Sequence, residues 1–345
     1  MMKAAVLGAT GMVGQIFIKL LNGHPWFEVS AVAASEKSVG LKYSEAAKWK
    51  LPTPIPEDVA ELDVVEIRPR AIKNVDLVFS ALPAEVAREV EEDFAKAGYA
   101  VVSDASAHRM DPDVPILIPE VNCDHVCLID EQRRRRNWRG SIVTNPNCST
   151  TVLTLPLKPI YDEFGINKVI VSTMQAVSGA GYPGVASLDI VDNVIPFIRN
   201  EEEKMQSETL KILGSHSKPA DFKISASCHR VPTLDGHIEA VFVELKHEAD
   251  SESVVDVMER FVGDPQRLKL PTAPARPIVV SREEDRPQTR LDRMEGKGMS
   301  VVVGRIRKDN ALRGVKFITL GHNTIRGAAG LAILNAEYLK VKKYI

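Results

Sequence analysis

The chain reads as an α/β protein in two parts: an N-terminal Rossmann-type doubly wound parallel sheet, and an α+β portion with a mostly antiparallel sheet. Three observations predict this. In the first half, short apolar strand segments alternate with helical segments over short links, the pattern of a parallel sheet with helices on both faces. In the second half, residues 238–245 alternate along Ile-Glu-Ala-Val-Phe-Val-Glu-Leu, as a strand with one covered face does. A glycine-rich turn closes the first strand.

Taken in order, residues 3–7 form the first strand, and Gly8-Ala9-Thr10-Gly11-Met12-Val13-Gly14 turns the chain into a helix over 12–21. There Val13, Ile16, Phe17, Leu20 and Leu21 share one face at helical spacing, and Asn22-Gly23 stops the helix. Strands follow at 29–34, 64–67, 76–82, 100–103 and 141–145, with a helix over 85–97. Later strands are expected at 168–177, 223–231, 238–245, 300–307 and 315–320. The Ala- and Leu-rich stretch 323–339 reads as a helix that packs back on the first part.

Bulk properties exclude several classes. With 345 residues, 44% of them hydrophobic and 26% charged, the chain can bury two cores. A net charge of −2 gives no pull towards nucleic acid. No apolar run approaches the ~18 residues of a membrane span. Nothing before the first strand reads as a signal peptide, so the four cysteines (123, 127, 148 and 228) are expected as reduced thiols in the cytoplasm. Cys123-x-x-x-Cys127 has neither a second CxxC nor a matched His pair, and reads as two structural thiols rather than a metal site. The run Glu131-Gln132-Arg133-Arg134-Arg135-Arg136 reads as a solvated helix face or a subunit contact.

The glycine turn has the form G-x-x-G-x-x-G. Gly8 permits a tight turn, Gly11 lets backbone approach a pyrophosphate, and Gly14 lets the helix pack against the strand. The free N–H groups of the helix start then face the phosphates. At the end of the second strand stand Ser35-Glu36-Lys37-Ser38. The hydroxyls and the lysine suit a 2′-phosphate and favour NADP(H); Glu36 is the opposing residue, which would hold the ribose hydroxyl of NAD.

The sixth strand runs into Thr144-Asn145-Pro146-Asn147-Cys148-Ser149-Thr150-Thr151, which breaks the strand and starts a helix. A cysteine there gains from the positive helix end, which lowers a thiol from roughly 8.5 towards neutrality. The same N–H groups can hold an oxyanion. Alone, Cys148 is as well explained as a structural residue. A thiolate beside a nicotinamide implies interconversion of an aldehyde and an acyl thioester. Among eight histidines, His237 in Leu234-Asp235-Gly236-His237 opens a strand and is the candidate base, with Arg230 ending the preceding strand as a carboxylate ligand.

Residues 8–14, 145–150, Gln175-Ala176-Val177-Ser178-Gly179-Ala180-Gly181, Glu201-Glu202-Glu203-Lys204 and His322-Asn323-Thr324-Ile325-Arg326-Gly327 resemble the aspartate-semialdehyde dehydrogenases, in their archaeal and fungal branch. The resemblance covers essentially the whole chain. It implies a glyceraldehyde-3-phosphate-dehydrogenase-like fold, with an NADP-binding domain over 1–147, completed by the C-terminal helix 324–345, and a catalytic and dimerisation domain over 148–323. It implies NADPH-dependent conversion of β-aspartyl phosphate to aspartate semialdehyde, on the route to lysine, threonine, methionine and isoleucine. Cys148 matches the family's nucleophile, Gln175 the residue that orients the intermediate, and His237 the acid/base. Arg230 matches the carboxylate ligand, Glu201 the amine ligand, and Arg109, Lys204 and Asn147 the phosphate site. Thr10, Gly11, Met12, Val13, Ser35, Ser38, Ser178, Gly179 and Asn323, with Gly8, match the cofactor site. The implied assembly is a homodimer or homotetramer, without nucleic acid or membrane partners. The rival readings are an acyl reductase of the same superfamily, acting on malonyl-CoA or N-acetyl-glutamyl phosphate, and a non-catalytic NADP-binding redox sensor.

Overall fold

The computed structural model describes residues 1–345. Its first sheet contains β1 (Met2–Leu7), β2 (Phe27–Ala33), β3 (Val64–Val65), β4 (Leu77–Ser80), β5 (Ala100–Ser103) and β6 (Ser141–Thr144). All pairings are parallel, in the order β3-β2-β1-β4-β5-β6. The core strands are apolar on both faces: Ala4, Val6, Leu77 and Phe79 pack on one side, Ala5, Leu7, Val78 and Ile142 on the other. Only a sheet covered twice can bury such runs. The strand order reverses between β1 and β4, so the ligand crevice of this sheet lies at their carboxyl ends.

The second sheet contains β7 (Ile166–Gln175), β8 (Lys223–Arg230), β9 (His237–Leu245), β10 (Ile278–Ser281), β11 (Val301–Asp309) and β12 (Gly314–Gly321). Its order is β10-β11-β12-β9-β7-β8. The three inner pairings are antiparallel, as expected, but both edge strands pair parallel. At one edge the reason is connectivity: β7 reaches β8 through helix Glu201–Leu213, a crossover that returns the chain in the same direction. The short edge strand β10 was not expected, although Ile278-Val279-Val280 is an apolar β-branched run. Along β9, His237, Glu239, Val241, Val243 and Leu245 face the helix-covered side, and Ile238, Ala240, Phe242 and Glu244 the half-open side.

The expected helix over 323–339 begins later than its apolar pattern suggests. Residues Ile325–Ala329 form a wide turn kinked at Ala328 (φ −150°, ψ −109°), and the helix proper is Gly330–Val341. The kink is held from outside: Asn145 Nδ2 donates to Ala328 O at 2.9 Å, and Arg326 makes a buried bidentate ion pair with Glu120 at 2.8 and 2.9 Å. The helix then packs against helix Met12–Leu21 and β5. The arginine run is divided: Arg134 and Arg135 lie on the solvated face that was expected, whereas Arg133 and Arg136 act as a staple. Arg136 joins Asp111, Asp113 and Glu92 and stacks over Trp138, and Arg133 donates to Tyr344 O. No helix is long and apolar enough to cross a membrane.

Candidate active site

The nucleophile turn is built by one side chain. Asn147 caps helix Cys148–Phe164, its side-chain oxygen accepting from Ser149 N at 2.9 Å and Thr150 N at 3.2 Å. Cys148 is therefore the first helical residue, and its Sγ lies 3.2 Å from Nε2 of His237 at the start of β9. The other ring nitrogen decides the tautomer. His237 Nδ1 accepts the backbone N–H of Ala176 at 3.1 Å. An amide N–H can only donate, so Nδ1 carries no proton and the neutral ring presents Nε2–H to the sulfur.

Burial, with the Arg230 guanidinium and His322 adding, pushes His237 down to about 3, so the ring is neutral throughout the physiological range. Burial also pushes the Cys148 thiol up; Glu201 and Asp104 add to this, while Arg109 and Arg230 oppose it. This corrects the expectation of a thiol lowered towards neutrality. The helix terminus is where it was expected, but desolvation of the sulfur at the cavity wall, with Glu201 and Asp104, outweighs Arg109 and Arg230. The pair is thus a thiol beside a hydrogen-bond donor, not a thiolate–imidazolium pair. Below a thiol's pKa the thiolate fraction grows about tenfold per pH unit, so alkylation of Cys148 by iodoacetamide should accelerate by that factor per unit from about pH 6 to about pH 9. A rate already flat near pH 6 would reveal a preformed ion pair and overturn this reading.

Charged side chains converge on the same place. Arg230, the last residue of β8, donates from Nη1 to Ala176 O at 2.8 Å and makes no ion pair. One residue, Ala176, therefore orients both the imidazole and the guanidinium, through its N–H and its C=O. Glu201 opens helix Glu201–Leu213 and accepts from Asn147 Nδ2 at 2.9 Å. Arg109 donates to Glu208 at 3.1 Å and to Asp104 O at 2.8 Å, leaving its buried Nε without a partner. Lys204, half-buried and unpaired, lies one turn after Glu201. With Cys148 and Asn147, these residues line a cavity of about 450 Å³. Four cations, Arg109, Lys204, Arg230 and the exposed Arg199, face Glu201 and Asp104 there, a field suited to a ligand of net negative charge. Gln175 stands apart: it is buried, its Nε2 donates to Thr173 Oγ1 at 3.2 Å, and it does not line the cavity. Asp104 and Glu208 were not singled out by sequence. Glu208 carried a signal in Glu201-x-x-Lys204-x-x-x-Glu208-x-x-Lys211, charges repeating on one helix face.

A second cleft, of about 670 Å³, meets this cavity at Asp104 and Gly179. Thr10, Gly11, Met12 and Val13 line it. The glycines are needed here. Gly8 has φ +72°, and a Cβ on it would sit 2.6 Å from Ala81 O; one on Gly14 would sit 2.3 Å from Gly8 O. No side chain caps helix Met12–Leu21, so its first N–H groups remain available to phosphates. These features fit a dinucleotide. Ser35, Glu36 and Lys37 are exposed just past β2, with Ser38 half-buried behind them. Asn323 donates to Ser178 Oγ at 2.8 Å and accepts from Gly236 N at 2.8 Å, which ties those cofactor candidates to the turn preceding His237. Sequence reasoning missed Gln15, Lys48, Lys50 and Tyr182 in this cleft. Gln15 fastens the backbone of Lys48 and Lys50 to Thr10 O, and Lys50 lies over the Tyr182 ring at 5.0 Å. Such a loop has no periodicity to read.

Comparison with known proteins gives the same picture over the whole chain. Residues 3–129 match the model of the semialdehyde dehydrogenase NAD binding domain, and residues 157–326 that of the semialdehyde dehydrogenase dimerisation domain. An aspartate-semialdehyde dehydrogenase of Methanothermobacter thermautotrophicus is 56% identical, over 98% of this chain and 99% of that protein. A malonyl CoA reductase (NADP) of Metallosphaera sedula is 45% identical, over 100% of this chain and 98% of that protein. The crystal structure of aspartate semialdehyde dehydrogenase with NADP from Candida albicans superposes with a TM-score of 0.92 at 41% identity, covering all of both chains.

Proposed function

The chain belongs to the aspartate-semialdehyde dehydrogenase family, and from that premise we propose how its own residues carry the reaction. The activity is the NADPH-dependent reductive dephosphorylation of L-aspartyl-4-phosphate to L-aspartate 4-semialdehyde, a step of amino-acid biosynthesis. Cys148 attacks the acyl carbon, the C–O bond to phosphate breaks, and a thioester forms on the sulfur. The thiol proton departs on the leaving hydrogen phosphate. Arg109 and Lys204, which both line the cavity, meet the phosphate charge. Arg230 grips the α-carboxylate and Glu201 the ammonium, while Gln175 acts from outside the cavity, through its neighbour Ala176, whose N–H and C=O orient the imidazole and the guanidinium. The cofactor, held by the glycine turn, Ser35, Ser38, Ser178, Gly179 and Asn323, supplies hydride chemistry when bound. His237 meets negative charge on the substrate oxygen with its Nε2–H and, as the thiohemiacetal collapses, gives that proton to the departing sulfur, restoring the thiol; the ring then regains a proton from solvent.

The observation that carries this reading is the 3.2 Å approach of Cys148 Sγ to His237 Nε2 in a cavity rich in cations. We assign the chain to the cytoplasm, which its four free thiols support. We also read it as a homodimer or homotetramer. Ile170 on the half-open sheet face, and Leu188, Val191, Val194 and Phe197 in the segment after β7, are apolar and exposed. The test incubates protein of at least twice one chain's mass, by light scattering, with aspartate semialdehyde and NADP, adding either phosphate or coenzyme A. Phosphate-dependent NADPH formation is expected. Turnover with coenzyme A alone would transfer the chain to the acyl-CoA reductase reading.

A further inference from the structure

Helix Glu201–Leu213 turns a charged face inward. Glu201, Lys204, Glu208 and Lys211 follow one another at spacings of three, four and three residues, so they lie along one side. Lys211 spends all three ammonium protons on the loop after Arg109, donating to Arg109 O at 2.7 Å, Asp111 O at 2.8 Å and Val114 O at 2.9 Å. Glu208, buried, uses one carboxylate oxygen for Arg109 Nη1 at 3.1 Å and the other for the backbone N–H of Asn147 at 2.6 Å. Asn147 immediately precedes the nucleophile.

We propose that Glu208 is a positioning residue that sets the anion-binding guanidinium of Arg109 in register with the turn carrying Cys148. The inference rests on the proposed role of Arg109 at the phosphate. Its physical basis is the count of donors. Both partners of Glu208 are N–H groups, so the side chain between them must offer two acceptors. A carboxylate does. A glutamine of the same shape offers one, and its NH₂ would face an N–H on the other side, so one of the two contacts must break. The two contacts also join segments 38 residues apart in the chain, since Arg109 follows β5 and Asn147 follows β6. Asn145 joins the same segments nearer the strands, through its N–H to Ser103 O at 2.8 Å and its Nδ2 to Asp104 Oδ1 at 3.0 Å, and the carboxylate adds the bridge that reaches Arg109 and Asn147 themselves.

The test is Glu208→Gln in the full chain, assayed as phosphate-dependent oxidation of the semialdehyde. Loss of one charged hydrogen bond corresponds to about a thirtyfold fall in kcat, and a misplaced Arg109 to about a tenfold rise in the KM for phosphate. The KM for the semialdehyde and the Kd for NADP should stay within about twofold, because Arg230 and the glycine turn do not touch Glu208. A folded variant with parental kcat and phosphate KM would overturn the proposal. So would a loss of activity that follows only the folded fraction, with the phosphate KM unchanged in the surviving molecules. Should Glu208→Gln fail to fold, Glu208→Asp keeps both acceptors on a shorter arm and should show the same split at smaller size; a parental phosphate KM there counts against the proposal. Failure of the functional reading is seen separately, as an unmutated enzyme that ignores phosphate. In that event the iodoacetamide reactivity of Cys148, which needs no substrate, still reports Glu208: a rate equal in parent and variant overturns its role at the nucleophile turn.

Discussion

Cys148→Ala is expected to abolish turnover, by about 10⁵-fold or more, while NADPH binding changes by less than about twofold. The size follows from the chemistry. Without sulfur there is no thioester, and no neighbouring group replaces it: His237 presents a proton to that position rather than a lone pair. The selectivity follows from the geometry. Cys148 shares its cavity with Ser178, Gly179 and Asn323, but the larger cleft beside it, lined by the glycine turn, Lys48, Lys50 and Tyr182, does not include the sulfur and holds most of the nucleotide's contacts in the proposed reading. Steady-state assays beside fluorescence titration with NADPH separate the two quantities. A variant that loses cofactor affinity along with activity would show that the sulfur also supports the nucleotide, against the division of labour argued above.

Gly327→Ala should lower kcat/KM about a hundredfold or more without removing any reacting atom, since a displacement near 1 Å at the reacting groups costs that much. A Cβ at this position would lie 2.6 Å from Cys148 Cβ and 2.9 Å from Cys148 Cα. Something must move, and the turn carrying Gly327 is poorly able to. Arg326 is locked to Glu120 by a buried bidentate ion pair, and Ala328 O is held by Asn145. Breaking such a buried pair costs about 3–5 kcal/mol, more than shifting the first residue of a helix. The displacement therefore falls on the nucleophile. A crystal structure of the variant, with its kcat/KM, checks this; parental activity would mean that the turn yields instead.

The doubly wound sheet was legible because its signals are local. Apolar runs of strand length, an amphipathic helix and the glycine turn each lie within about twenty residues, and the tight contacts at Gly8 and Gly14 are those the spacing implies. The inner strands of the second sheet were readable, whereas β10 was missed although Ile278-Val279-Val280 is an apolar run as long as those that revealed β5 and β6, and the kink at Ala328 was unreadable because it is maintained by Asn145, 183 residues away. The candidate site divides in the same way. Cys148 and His237 were exposed by their turns. Arg109, Lys204 and Asn147 were named through resemblance to a family, and Glu208 and Asp104 had only a helix-face pattern or nothing.

Residue types and short spacings by themselves determined which groups the protein possesses: a thiol at a helix start, an imidazole at a strand start, a phosphate-sized turn after the first strand. Tertiary structure alone decided their protonation. Ala176, 61 residues from His237, places its N–H on Nδ1 and so leaves the ring's proton on Nε2, and enclosure by distant segments lifts the Cys148 thiol and depresses the imidazole. The physical reason is that backbone turns are encoded over a few residues, whereas desolvation and electrostatic environment belong to everything packed around a group, most of it remote in the chain.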